Sequence, residues 1–148
     1  MLTGKKILIG VTGSIAAYKT ALLVRELIKL EAEVKVIMTS ASSEFIPPLT
    51  LATLSKNPVA NDFVKNKNGE WENHVELGLW ADLFIIAPAT ANTIAKMATG
   101  LCDNLLMAAY LSARCPVWVA PAMDLDMFTH PTTTKNLLTL QSFNINII

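Results

Sequence analysis

Hydrophobic positions along the chain fall into two kinds of stretch. Short runs rich in Val and Ile, KKILIGV (5–11), EVKVIM (33–38), DLFIIA (82–87), PVWVA (116–120) and NINII (144–148), are apolar at consecutive rather than alternate positions. Strands of that type are buried on both faces, as in parallel sheets. Between them lie longer stretches with helical spacing: 13–30, 48–57 opened by Pro47 and Pro48, 89–100 and 102–113 split around Gly100, and 133–141, for which Thr132 is a suitable N-cap. The alternation predicts an α/β fold, a Rossmann-like three-layer sandwich whose mostly parallel sheet carries helices on both faces. The polar segment 61–73, NDFVKNKNGEWEN, has little periodicity and reads as a surface excursion. No internal repeat, low-complexity tract or domain boundary interrupts residues 1–148.

Composition narrows the function classes. The 148 residues are 52% hydrophobic and only 16% charged, with 12 basic side chains against 12 acidic ones. That balance offers no electrostatic footprint for nucleic acid or an anionic membrane. A mean hydropathy of +0.41 is high for a small chain, so surplus apolar surface is expected in subunit contacts or a ligand cleft, and a homo-oligomer is expected. Cys102 and Cys115 stand alone, which argues against a structural zinc site or a disulfide framework and fits a reducing, cytoplasmic compartment. Lys5 and Lys6 precede an apolar run, but Thr12, Gly13 and Ser14 break it early, so ILIGV reads as a strand and not a secretory leader.

In an open α/β sheet, ligands bind outside the carboxyl ends of the strands. After the first strand, GVTGSIAAYK (10–19) offers Gly10 and Gly13 for tight turning and is expected to present the amides of Ser14, Ile15 and Ala16 to an anion. The dinucleotide fingerprint G-x-G-x-x-G fails at Thr12, and the phosphate loop of nucleotide hydrolases fails because Lys19-Thr20 is too far from Gly13. A plain helix cap is the alternative for this loop. The second strand ends in Met38, Thr39 and a run of serines, hydroxyls where a nicotinamide site carries an acid, and Phe45 suits the side of a flat ring. Here too an ordinary cap competes. APATANT (87–93) again places hydroxyls, Thr90 and Thr93, at a helix start. Three such loops favour a mononucleotide. The fourth, APAMDLDMF (120–128), holds Met123, Asp124, Asp126 and Met127; two carboxylates without a His partner make a thin metal site, so no metal is expected there. His74 and His130 are the two histidines, and a structural role is the commoner one for either.

Taken in order, GSIAAYK, the MTxxxxxF stretch, HVELGLWAD, APATANTIAK, GLCDNLL and PAMDLDM cover nearly the whole chain. Together they resemble the homo-oligomeric flavin-containing cysteine decarboxylases. The resemblance implies FMN near a subunit interface in a homotrimer, or a dodecamer built of trimers. Gly13, Ser14, Ile15 and Thr39 would then hold the phosphate and ribityl ends, Phe45 would lie by the ring, and Pro88, Ala89, Thr90 and Ala91 would line it. His74 matches the family's essential histidine and would be catalytic, while Ala122, Met123, Asp124 and Met127 would meet substrate. The implied reaction is oxidative decarboxylation of phosphopantothenoylcysteine to 4'-phosphopantetheine in coenzyme A biosynthesis. Three departures stand out: Asp124 replaces the family's Asn, Leu79 replaces a basic residue, and neither cysteine matches the proton-donating Cys of the family's flap. That flap and any synthetase domain would fall beyond Ile148, so residues 1–148 are expected to be the flavoprotein domain without them. The alternatives are a non-catalytic FMN-binding regulatory module and a decarboxylase of a peptidyl C-terminal cysteine; HVELGLWAD speaks against a flavin prenyltransferase.

Overall fold

The computed structural model describes residues 1–63 and 68–148. Strands β1 (Lys6–Val11), β2 (Glu33–Met38), β3 (Leu83–Ala89), β4 (Val117–Pro121) and β5 (Asn146–Ile147) form one parallel sheet in the order β2-β1-β3-β4-β5. Beyond β2, Ala60 adds a parallel bridge to Ile37. The helices are α1 (Lys19–Lys29), α2 (Pro48–Ser55), α3 (His74–Trp80), α4 (Ala91–Thr99), α5 (Leu105–Ser112), α6 (Leu125–Thr129) and α7 (Pro131–Ser142).

Alternate strand positions feed two cores, which is why the strands are apolar throughout. Ile7, Ile9, Val34 and Val36 pack with Val24 and Leu27 of α1 and Leu51 of α2. Leu8, Phe84, Ile86 and Val119 pack on the other side with Met97 of α4, Met107 of α5 and Leu140 of α7. This is the three-layer sandwich that the pattern predicts. The chain leaves β1 for β2 on one side and returns to β3 on the other, so the topological switch point lies between the carboxyl ends of β1 and β3.

Local signals act as the sequence implies at most helix ends. Pro48 opens α2 after an extended Pro47. Gly100 closes α4 in the left-handed region, φ 75°, with its amide donating to the Lys96 carbonyl at 2.8 Å. Thr132 is not the cap of α7. Proline is favoured at the first helical position, so Pro131 sets the start, and His130 caps by accepting from the Thr132 amide through Nδ1 at 3.1 Å. In the segment 61–73, Asp62 and residues 68–71 are exposed, as expected of a surface excursion, while residues 64–67 lie outside the described residues. No helix among the described residues is long and apolar enough to cross a membrane.

Candidate active site

The loop after β1 is built around Thr12, whose side chain is 1% exposed. Its hydroxyl donates to the Pro88 carbonyl at 2.6 Å and accepts from the Thr90 amide at 3.0 Å. Thr20, also buried, donates to the Ala87 carbonyl at 3.0 Å. Two hydroxyls from the first crossover therefore fasten the loop after β3, in which the Ala87–Pro88 peptide is cis. Thr90 in turn caps α4, its hydroxyl accepting from the Thr93 amide at 3.2 Å. The residue at which the dinucleotide fingerprint fails is thus the residue that joins two strand-end loops.

The amides after Gly13 are less available than the sequence implies. Ser14 donates its amide to the Thr12 carbonyl at 2.9 Å, and its side chain accepts from Ala16 at 3.2 Å, so the tight turn of Ile15–Tyr18 uses two of the three amides locally. Gly13 has a packing reason of its own. A Cβ there would stand 2.6 Å from the Ala41 Cβ, so a side chain at this position would collide with the loop after β2. Loss of a ligand from a Gly13 variant therefore reports loop packing as well as any phosphate contact. In that second loop Thr39 donates its amide to the Val11 carbonyl at 3.0 Å, and its hydroxyl accepts from the Ser42 amide at 3.3 Å. Phe45 follows, 47% exposed.

Between the first, third and fourth loops lies a cavity of about 290 Å³, with Ala16, Lys19, Thr20, Pro88, Ala120 and Ala122 among its walls. Its walls are small and apolar apart from Lys19 and Thr20, whose hydroxyl is already given to the Ala87 carbonyl, and a lining of that kind suits a flat ring. Ala122 is tied in through its amide, which donates to the Ala89 carbonyl at 3.0 Å. Asp124 lies beyond: it caps α6, its carboxylate accepting from the Met127 amide at 2.9 Å. The carboxylate thus faces a backbone donor, and Asp and Asn serve equally well in that place. Met127 is 46% exposed, and α6 has no buried residue.

His74 opens α3 behind an Asn73 cap that accepts from the Val75 and Glu76 amides, both at 3.1 Å. Helix α3 runs back toward Asp82, which exchanges hydrogen bonds with Lys6 at the amino end of β1. His74, at the other end of that helix, lies toward the carboxyl end of the sheet. Among the described residues no hydrogen bond joins it to the loops at 12–15, 39–45 or 88–91. Its ring instead meets Phe63 and Trp71 edge to face. Cys115 stands before β4 at the opposite end of the sheet, where burial pushes its thiol up.

Of the residues singled out from sequence, the structure brings together Gly13, Ser14, Thr39, Pro88, Ala89, Thr90 and Ala122, directly or through Thr12. It leaves Ile15, 80% exposed, and Phe45 and Met127 at the edge, and gives Asp124 a local cap. Sequence reasoning missed Thr12 and Thr20 as positioning residues. Their signal was a hydroxyl at an apolar strand end for Thr12 and on the buried face of α1 for Thr20, legible only once the partner loop is known. The aromatic neighbours of His74 were missed because the segment carrying them has no periodicity.

Comparison with known proteins now adds to this geometry. A chain of unknown prokaryotic origin named cysteine/cysteine sulfinic acid decarboxylase is 63% identical over 103 residues, 70% of this chain and 29% of that one. The probable phosphopantothenoylcysteine decarboxylase of Streptococcus mutans is 48% identical over 141 residues, 94% of this chain and 79% of that one. Among solved structures, the FMN-dependent cysteine decarboxylase SpaF superposes with a TM-score of 0.92 at 31% identity, covering 100% of this chain and 85% of the other. The chain spans 29% to 37% of the length of the first curated relatives it matches. The family model described as Flavoprotein matches residues 1–148 from end to end, and the chain belongs to that family.

Proposed function

We propose that residues 1–148 form the FMN-binding domain of a decarboxylase that converts phosphopantothenoylcysteine to 4'-phosphopantetheine, a carboxy-lyase of coenzyme A biosynthesis acting in the cytoplasm. The observation that carries the reading is the set of cross-bonded loops at the switch point, with His74 held toward the same end of the sheet. FMN, when bound, supplies the electron acceptor that makes loss of carbon dioxide from a cysteine-derived carboxylate feasible. Gly13, Ser14, Ile15 and Thr39 would receive its phosphate and ribityl chain, and Phe45, Pro88, Ala89, Thr90 and Ala91 its ring. Thr12 and Thr20 keep the Pro88 loop in place, so the cleft is formed before a ligand arrives. His74 holds or moves a proton at the substrate thiol or orients its carboxylate. Ala122, Met123, Asp124 and Met127 would meet the substrate, with the carboxylate taken by the backbone at Met123, since the Ala122 amide is held by the Ala89 carbonyl and the Asp124 carboxylate is turned to Met127. Ile15, Phe45, Met127 and Phe128 are exposed apolar side chains at this end of the molecule, as a homotrimer or a larger assembly of trimers with its site at a subunit boundary would require.

A second reading is decarboxylation of cysteine or cysteine sulfinic acid. The relative of that name, 63% identical over its matched region, favours it.

The test is to supply phosphopantothenoylcysteine, cysteine and cysteine sulfinate separately and measure carbon dioxide release with the flavin spectrum. Turnover of phosphopantothenoylcysteine above the other two supports the proposal; turnover of cysteine or its sulfinate alone selects the second reading, and none with any of them leaves a non-catalytic flavin module or a decarboxylase of a peptidyl C-terminal cysteine. His74→Asn is expected to retain flavin while flavin reduction by substrate slows by about 10² to 10⁴.

A further inference from the structure

A catalytic histidine usually has one ring nitrogen fixed by a carboxylate or carbonyl, which leaves the other to work. His74 departs from that pattern. Its Nδ1 is shut off from solvent and, among the described residues, has no hydrogen-bond partner. What surrounds the ring is aromatic: the Phe63 centroid lies 6.1 Å away with the planes at 88°, and the Trp71 centroid 5.6 Å away with the planes at 72°. Both distances are within the range of favourable edge-to-face pairs. The two rings come from either side of the polar excursion, and the Glu72 amide donates to the Phe63 carbonyl at 2.6 Å, closing its base beside α3. Phe63 packs against the core, whereas Trp71 is 56% exposed, an expensive place for an indole with only a packing role.

We propose that Phe63 and Trp71 are positioning residues that replace the usual hydrogen-bonding orienter of a catalytic histidine: they seal Nδ1 and leave Nε2 as the working nitrogen of His74. The proposal rests on His74 being catalytic, as read above. With Nδ1 sealed, proton exchange at the ring is confined to Nε2, and one tautomer is expected to predominate. The arrangement also keeps water from the inner edge of the ring, which concentrates its proton chemistry on the substrate side.

The chain has two histidines, which makes the inference directly measurable. With ¹⁵N-histidine-labelled holoprotein, a long-range ¹H–¹⁵N spectrum gives two ring sets, and the set lost in His74→Asn is that of His74. The wild type should show well-separated Nδ1 and Nε2 shifts for His74. In Trp71→Ala these should move toward the averaged values of a free imidazole, while flavin content stays the same and the rate of flavin reduction by phosphopantothenoylcysteine falls roughly 10- to 100-fold without a matching change in KM. Trp71→Phe should restore both the spectrum and the rate. Because Trp71 is exposed, the alanine variant is expected to fold, and thermal melting of the Phe63→Leu variant provides a second check on the buried side of the clamp. Unchanged His74 ring signals in Trp71→Ala overturn the clamp. So does an unchanged rate in Trp71→Ala when His74→Asn is inactive. If His74→Asn itself reacts at the normal rate, the catalytic reading of His74 has failed, and the clamp falls with it.

Discussion

The loops after β1, β2 and β3 share one end of the sheet with the segment after β4, yet the two regions are held in different ways. On the first side every loop is fastened to another: Thr12 to Pro88 and Thr90, Thr20 to Ala87, Thr39 to Val11, and Gly13 pressed against Ala41. On the β4 side the amide of Ala122 reaches across to Ala89, next to the pairing of Ala89 with Pro121; the hydrogen bonds of Asp124 and Thr129 stay within α6, whose residues are all at least partly open to solvent. The side proposed to hold the cofactor is therefore cross-braced without a ligand, which would lower the ordering cost of taking one up. The side proposed to meet substrate has fewer such ties, its main local one being the Asp124 cap. Variants should separate the halves, with large effects on stability and flavin retention in the first and small ones in the second.

Thr12→Val should have the largest effect. It keeps the shape but removes a donor and an acceptor, leaving the buried Pro88 carbonyl and the half-buried Thr90 amide without that partner, at about 2–3 kcal/mol. For a chain of this size that corresponds to a melting temperature lower by roughly 4–12 °C. Flavin retention should fall with it, because the Pro88 loop is freed. Thr12→Ser keeps the hydroxyl and should recover most of both, as thermal melts and flavin content after gel filtration would show. Equal behaviour of Val and Ser would mean that the hydroxyl does not hold the loop.

How much of this was legible in the sequence depends on the range of the interaction. Continuous Val and Ile runs disclose buried parallel strands because the requirement is local to each strand, and Gly100 and Pro48 disclose helix ends for the same reason. Strand order was not legible. Thr12 read only as a departure from a glycine pattern, because its partners lie 76 and 78 positions away. His130 displaced Thr132 as a cap because Pro131 fixed the helix start, a local rule that carries more weight than side-chain preference here. Of the site residues named from the family motifs, Gly13, Thr39 and Pro88 to Thr90 stand in the loops at the switch point, whereas Ile15, Phe45 and Met127 are left exposed; roles differ in kind too, Gly13 being needed for packing and Asp124 for capping, and neither role requires a ligand.

The contact between the first two loops can be tested by a paired exchange. Gly13→Ala brings a methyl group onto that of Ala41, and overpacking of this kind costs about 1–3 kcal/mol. Gly13→Ala combined with Ala41→Gly should recover at least half of the lost stability, and the flavin with it. Recovery of stability without flavin would place the phosphate at Gly13 itself, since the packing fault would then be repaired and the ligand contact still lost.

The smallest effect is expected at Asp124, where the two halves differ most. Removing the cap in Asp124→Ala leaves the Met127 amide to water on an exposed helix and should cost about 1 kcal/mol. Asp124→Asn retains an equivalent cap and should fall within a few tenths of that of the wild type. Because the carboxylate is already committed to Met127, it offers the substrate no donor, and its charge opposes an approaching carboxylate. Removing that charge while keeping the cap should therefore leave flavin reduction unchanged or lower the KM for phosphopantothenoylcysteine. A large loss of rate in Asp124→Asn, with melting temperature and flavin content intact, would show that the negative charge itself takes part in the reaction. The β4 side would then be as specifically built as the cofactor side, through electrostatics and not through cross-bonding.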